Sequence, residues 1–180
     1  MAAASQPVNA LLTLEEYLHT VYHPDCDFVD GHLEERNLGE TAHGLLQVEL
    51  SYWFRSRSEE WKIRVITELR TRVATSRVRI PDVSVVPDDA ALAERVRQTP
   101  PLIAIEIMSP EDRTSRVVKR LDDFVRMGIE NIWLLDPDER VAYTYSKFGL
   151  KLSDSDRLTV EGTPIFLDVT AIFSALPSGL

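Results

Sequence analysis

Cysteine is nearly missing from this chain: of 180 residues, Cys26 is the single one. One thiol excludes an internal disulfide and a cysteine-built zinc cluster. Long apolar runs are missing too. None approaches the roughly 18 residues that a membrane-spanning helix needs. The opening MAAASQPVNA has neither a basic n-region nor a long apolar h-region, so no secretory signal is expected, and the setting expected is cytoplasmic. Positive charge is in deficit, with 20 Lys and Arg against 29 Asp and Glu and a net charge of −9. General nucleic-acid binders are usually basic. Any such surface here would have to be a local basic patch on an acidic protein.

What is present suits a globular domain: 44% hydrophobic and 27% charged residues. The length allows one domain with a sizeable core. Residues 1–11 read as a flexible N-terminal arm and 12–180 as that domain. Thr13-Leu-Glu-Glu16 has the spacing of a capping box and predicts a short helix over about 14–21. Asp30-Gly31, between two short extended pieces, predicts a hairpin. Leu46, Leu50, Trp53 and Phe54 form the stripe of a helix from Gly39 to about Ser58.

A strand is expected over Trp61–Val73, then a turn at Ala74–Arg77 into a second strand that runs to Val86. Residues 87–101 read as a loop with one short helix. A third strand ends at Ser109-Pro110. A helix over about Asp112–Met127 has a core stripe of Val117, Val118, Leu121, Phe124 and Val125, closed by Gly128 as its cap. Asn131–Asp136 is a buried strand. Val141–Tyr145, Leu150–Leu152 and Leu158–Val160 read as a β meander, and Phe166–Leu176 as a strand end and a short helix. The middle of the chain is therefore helix, strand, strand, strand, helix, strand. Short links make the first strand pairs antiparallel, and the second helix carries the chain to a parallel neighbour. The fold class expected is α/β (α+β with a mixed sheet).

Two carboxylates sit where carboxylates are costly. Asp82 lies in the apolar run Ile80–Val86, and Glu106 in the run Leu102–Met108. Both runs read as buried strands. A carboxylate there must be paired, hydrogen-bonded or bound to a metal. Alternation puts Ile80, Asp82 and Ser84 on one face, and Ala104, Glu106 and Met108 on one face. If the strands are neighbours in register, the two acids converge on a hard, oxygen-rich site suited to Mg2+ or Mn2+. Such a cation activates water and offsets charge on a phosphoryl oxygen. A nearby lysine would add to that.

These residues resemble a known family. Pro81-Asp82 and Glu106, in this order of elements, resemble the PD-(D/E)XK nuclease superfamily with its restriction-endonuclease-like core. The chain is more closely similar to the Uma-two family of bacterial restriction endonucleases. The likeness is carried by Thr13-Leu-Glu-Glu-Tyr17, FVDGHLEER, the His43 helix, ELRTRVATSRVRIPDVSVV, IEIMSPEDR, the Lys119 helix and the stretch from Gly128 to Pro137. The resemblance implies a metal-dependent endonuclease that hydrolyses DNA phosphodiester bonds. It implies Asp82 and Glu106 as metal ligands, joined by the backbone carbonyl of Ile107. The superfamily lysine would stand at position 108, where this chain has Met108. Lys119 from the following helix matches the family pattern as its substitute. His43, Glu40 and Glu68 are weaker candidates.

The basic patch expected for DNA is Arg70, Arg72, Arg77 and Arg79 with Arg113, Arg116, Lys119 and Arg120. A homodimer is the expected state for cutting both strands. Two alternatives stand beside this reading. One is a nuclease-like fold that no longer cuts and serves as a binding or assembly module, as Met108 and the acidic charge suggest. The other makes Asp82 and Glu106 the partners of buried arginines such as Arg79 or Arg70.

Overall fold

Two helices pack on opposite faces of one mixed sheet, and the alternation of its strands explains why. The computed structural model describes residues 11–36, 40–89 and 94–177. The elements are α1 (Leu14–His19), β1 (Cys26–Val29), β2 (His32–Glu35), α2 (Thr41–Arg55), α3 (Ser58–Trp61) and β3 (Ile63–Thr67). Then come β4 (Thr71–Ala74), β5 (Arg77–Arg79), β6 (Val83–Pro87), β7 (Ile103–Ile107), α4 (Thr114–Met127) and β8 (Asn131–Asp136). The last are β9 (Val141–Ser146), β10 (Gly149–Leu152), β11 (Arg157–Thr159), β12 (Phe166–Asp168) and α5 (Val169–Ser174). The arm read over residues 1–11 falls, save for Leu11, outside the described residues.

The large sheet has the order β10-β9-β8-β7-β6-β3. Strand β6 is antiparallel to β3 and β7, and β7 is parallel to β8. Val83, Val85, Ile103, Ile105, Trp133 and Leu135 point to the side of α2, where Leu46, Leu50 and Phe54 meet them. Ala104, Ile132 and Leu134 point to the other side, against Val117, Leu121 and Phe124 of α4. The apolar stripes of both helices thus find the faces their periodicity requires. Gly128 ends α4 at φ 93°, a left-handed cap that costs glycine little. The Thr13–Glu16 capping box is formed at α1.

The order helix, strand, strand, strand, helix, strand is there as α2, β3, β6, β7, α4 and β8, with an insertion. The strand expected over Trp61–Val73 is broken. Glu68 takes a left-handed φ of 53°, and its N–H donates to the Asp82 carbonyl at 3.3 Å. The strand expected to end at Val86 is broken at Pro81, which has no N–H for a ladder. The pieces β4 and β5 leave for a second sheet of order β2-β1-β5-β4. Ile80–Asp82 is therefore the passage from one sheet to the other. The β meander is also corrected: β9 and β10 extend the large sheet, but β11 leaves it to pair with β12. In the loop after β6, residues 90–93 lie outside the described residues, and no helix occurs among those described from 94 to 101.

The β1–β2 hairpin turns on Asp30 and Gly31 at φ 50° and 88°. A Cβ on Gly31 would lie 2.9 Å from the Leu11 Cβ. Gly31→Ala combines that contact with a strained backbone. It is expected to cost about 1–2 kcal/mol, read as a lower urea midpoint at unchanged slope.

Candidate active site

Strand register brings the two buried acids together. In the β6–β7 ladder Val83 pairs with Ile105 and Ser84 with Ala104. Asp82 and Glu106 each stand one residue beyond the Val83–Ile105 pair, and Asp82 Oδ2 accepts the N–H of Ile107, the residue after Glu106. Asp82 is 3% exposed and Glu106 2%. The pair lies at the end of the sheet, between the first turns of α2 and the middle of α4.

Every contact of Asp82 favours its anion. Oδ1 accepts from Arg36 Nη2 at 2.5 Å, and Oδ2 accepts from the Ile107 N–H at 2.8 Å. His43 Nε2 lies 3.3 Å from Oδ2. One turn along α2, Gln47 Nε2 donates to the Asp82 backbone carbonyl at 2.9 Å. Burial pushes the Asp82 carboxyl up, but His43, Arg36 and the Ile107 N–H together outweigh burial and hold it below its ordinary value.

Glu106 is less well served. Oε2 accepts from Arg120 Nη1 at 2.5 Å. Oε1 is buried with no hydrogen-bond partner among the described residues. Burial, helped by the Asp82 charge, outweighs Arg120 and pushes this carboxyl up to about 8. An orphaned buried acceptor is a cost that a folded protein normally avoids. It points to a proton or a cation at that oxygen.

Arg120 is the cation that α4 sends into the site, its own pKa held up first by Glu106. Its Nε lies 4.0 Å from Asp27 Oδ2. Asp27, 3% exposed, also receives the Ile80 N–H at 3.0 Å and Arg79 Nη1 at 3.0 Å. Arg79 further reaches Glu34 at 2.7 Å and Asp123 at 2.8 Å. A chain of alternating charges therefore runs from Glu106 through Arg120, Asp27 and Arg79 to Asp123.

Lys119 is exposed on α4, while its neighbour Arg120 turns inward. The spacing explains the difference. Arg120 stands three residues after Val117 and four before Phe124, beside the apolar stripe. Lys119 stands two after Val117 and two before Leu121, on the far side of the helix. Met108 packs, partly buried, against the α4 core. Glu40 is the exposed N-cap residue of α2, without a side-chain capping bond, and Glu68 is exposed. Ile107 gives its N–H to Asp82.

Arginine pairing of the two acids is real, but the expected partners are corrected. Arg79 serves Asp27, Glu34 and Asp123, and Arg70 serves Asp25 at 2.7 Å. Arg36 and Arg120 take the two site acids instead. Of the half of the basic patch drawn from the middle strands, Arg77 is likewise spent internally, on Asp30 and Asp123, while Arg72 donates to the Thr75 carbonyl. Arg113, Arg116 and Lys119 on the α4 side are exposed.

A pH dependence follows from Glu106. Its folded value lies above its ordinary 4.5. Between the two values the folded state keeps a proton that the unfolded chain has lost. Its contribution to stability is whole below about 4.5 and is lost as pH rises through about 8. Asp82 works in the opposite sense, its contribution fading as acid protonates it. Glu106→Gln keeps an oxygen for Arg120 and removes the ionisation. The variant is expected to lose less stability than wild type between about pH 5 and about pH 9, by on the order of a few kcal/mol. Urea melts across that range measure it.

Among the described residues, no group of three or more His, Cys, Asp or Glu side chains could hold a metal ion. The donor set here is an acidic pair with a free oxygen, which suits a hard cation that keeps much of its water. No helix of the described residues is long and apolar enough to cross a membrane.

Comparison with known proteins bears on this arrangement. No curated protein matches the chain. A crystal structure of a putative nuclease belonging to DUF820 from Anabaena variabilis is similar in fold, with a TM-score of 0.77 at 22% identity, over 91% of this chain and 98% of that one. The Uma2 family model, described as "Putative restriction endonuclease", matches residues 14–165, from the start of α1 to just before β12. That span holds the whole sheet and every residue of the paired-acid site, and the chain belongs to the Uma2 family.

Proposed function

We propose that the chain is a divalent-metal-dependent endonuclease that hydrolyses DNA phosphodiester bonds at Asp82 and Glu106. The observation that carries the reading is the buried acidic pair, Asp82 just before β6 and Glu106 in β7, with Glu106 Oε1 buried and without a hydrogen-bond partner among the described residues. The residues fit Mg2+ or Mn2+: the donors are hard oxygens, and one acceptor is free. Asp82 and Glu106 would hold the cation, and the Ile107 carbonyl is the further candidate ligand. A bound cation supplies an activated water and neutralises charge at the phosphoryl oxygens.

The protein's own groups do the rest. Arg120, fixed by Glu106 and Asp27, places positive charge where a phosphate would develop its own. His43 holds Asp82 from the α2 side. Arg113, Arg116 and Lys119 supply the local basic surface for the DNA backbone, and Lys119 acts there rather than at the bond that breaks. Cutting both strands takes two such sites, so a homodimer is the working form proposed, to be checked by light scattering.

The test is incubation of purified protein with plasmid and linear DNA in Mg2+ or Mn2+, with a chelator as control. Cleavage that starts with the metal and stops with the chelator is expected. The second reading, a binding or assembly module of the same fold, is favoured by the guanidinium already seated on each acid and by Met108. DNA bound but intact at every metal concentration would decide for it.

A further inference from the structure

Arg36 is held very differently from the buried arginine beneath the site. Arg79 is a fully engaged structural cation: its Nε is on Asp123, and its Nη1 is shared by Asp27 and Glu34. Arg36 places Nη2 on Asp82 Oδ1 at 2.5 Å, yet its Nε is buried without a hydrogen-bond partner among the described residues. Burial works against its charge, and Asp82, Glu106 and Asp27 outweigh that and keep it charged. Arg36, His43, Asp82, Ile107, Ser109, Asp112 and Arg120 line a half-open cleft whose free space is about 10 Å³. That is about the room of one water.

We propose that Arg36 is an exchange residue, which occupies the cation's place on Asp82 until a substrate phosphate draws it away. The inference rests on the metal-site reading above and adds to it a coupling between metal and DNA. A cation on Asp82 and a guanidinium on the same oxygen repel each other at close range. Cation entry therefore requires Arg36 to leave Asp82. A guanidinium that leaves a carboxylate needs another bidentate anion, and a phosphodiester is one. With DNA absent, Arg36 weakens cation binding. With DNA present, the phosphate takes Arg36, and both ligands bind more tightly. Linkage makes the effect mutual. Arg120 differs: Glu106 and Asp27 hold it from two sides, so it stays in place.

The test is calorimetric titration of Mn2+ into wild type, Arg36→Gln and Arg36→Lys, each checked for an unchanged thermal midpoint profile, with and without a cleavage-resistant phosphorothioate duplex. Asp82→Asn serves as the control for the site. Without DNA, Arg36→Gln is expected to bind Mn2+ about tenfold more tightly than wild type, as removal of a blocked population requires. Arg36→Lys, which keeps the charge, is expected to stay near wild type. The duplex is expected to tighten Mn2+ binding in wild type and to leave Arg36→Gln unchanged. Wild-type binding that Asp82→Asn abolishes but Arg36→Gln does not tighten would overturn the exchange role and leave the metal site standing. No Mn2+ binding by wild type or Arg36→Gln would overturn both. Should Arg36→Gln fail to fold, a Mn2+ affinity in wild type that the duplex does not raise would overturn the exchange role alone.

Discussion

Asp82→Asn is expected to cut metal-dependent DNA cleavage by on the order of a thousandfold, through loss of a cation ligand at the reacting phosphate. Asn keeps an oxygen for the Ile107 N–H and for His43, so the contacts that seat the residue survive. What it loses is the charge. Arg36 then faces the amide NH2, a donor that cannot accept its N–H, and some stability goes with that. The two effects separate by measurement: thermal melting reports the second, and single-turnover cleavage at saturating DNA reports the first. Arg120→Met is expected to lower the rate as well, because it strips the positive charge from Glu106. Lys119→Ala is expected to leave the cleavage step nearly unchanged. It should weaken DNA binding and lessen its salt dependence, as loss of one phosphate contact does. A large loss of single-turnover rate in Lys119→Ala beside a silent Arg120→Met would reverse that assignment.

Arg79→Met is expected to be the most damaging change to stability, at about 3–5 kcal/mol. It leaves Asp27 and Asp123, each nearly inaccessible, without the guanidinium that lies between them. Asp123 keeps Arg77 and Arg126. Asp27 keeps only the more distant Arg120 among the ion pairs of the described residues. A fall in the chemical-denaturation midpoint of that size would show the alternating charges to be structural. Asp27→Asn combined with Arg79→Met should recover part of the loss, because the uncompensated charge is then gone.

The acidic pair was legible because its cost was legible. Asp82 and Glu106 interrupt runs of Val and Ile, and period-two alternation turned their faces toward one another. The stripes of α2 and α4, the Asp30-Gly31 turn and the Gly128 cap were legible for the same local reasons. The break at Glu68 was not, since nothing in that side chain announces a left-handed backbone; the cause is tertiary, an amide drawn to the Asp82 carbonyl. The β11–β12 ribbon was missed because a strand's partner depends on where the chain has travelled, and alternation is silent on that. Arg36 is 46 residues from Asp82 in sequence, and no spacing rule reaches so far. Arg120 could have been found: its place beside Val117 and Phe124 was there to read, whereas the family pattern drew attention to Lys119.

The central claim is that Asp82 and Glu106 hold one divalent cation. Calorimetric titration of Mn2+ into wild type and into Asp82→Asn with Glu106→Gln tests it most directly. The account predicts saturable binding of one cation per chain in wild type and none in the double variant. Equal binding by wild type and the double variant, or no binding by either folded wild type or Arg36→Gln, would contradict it.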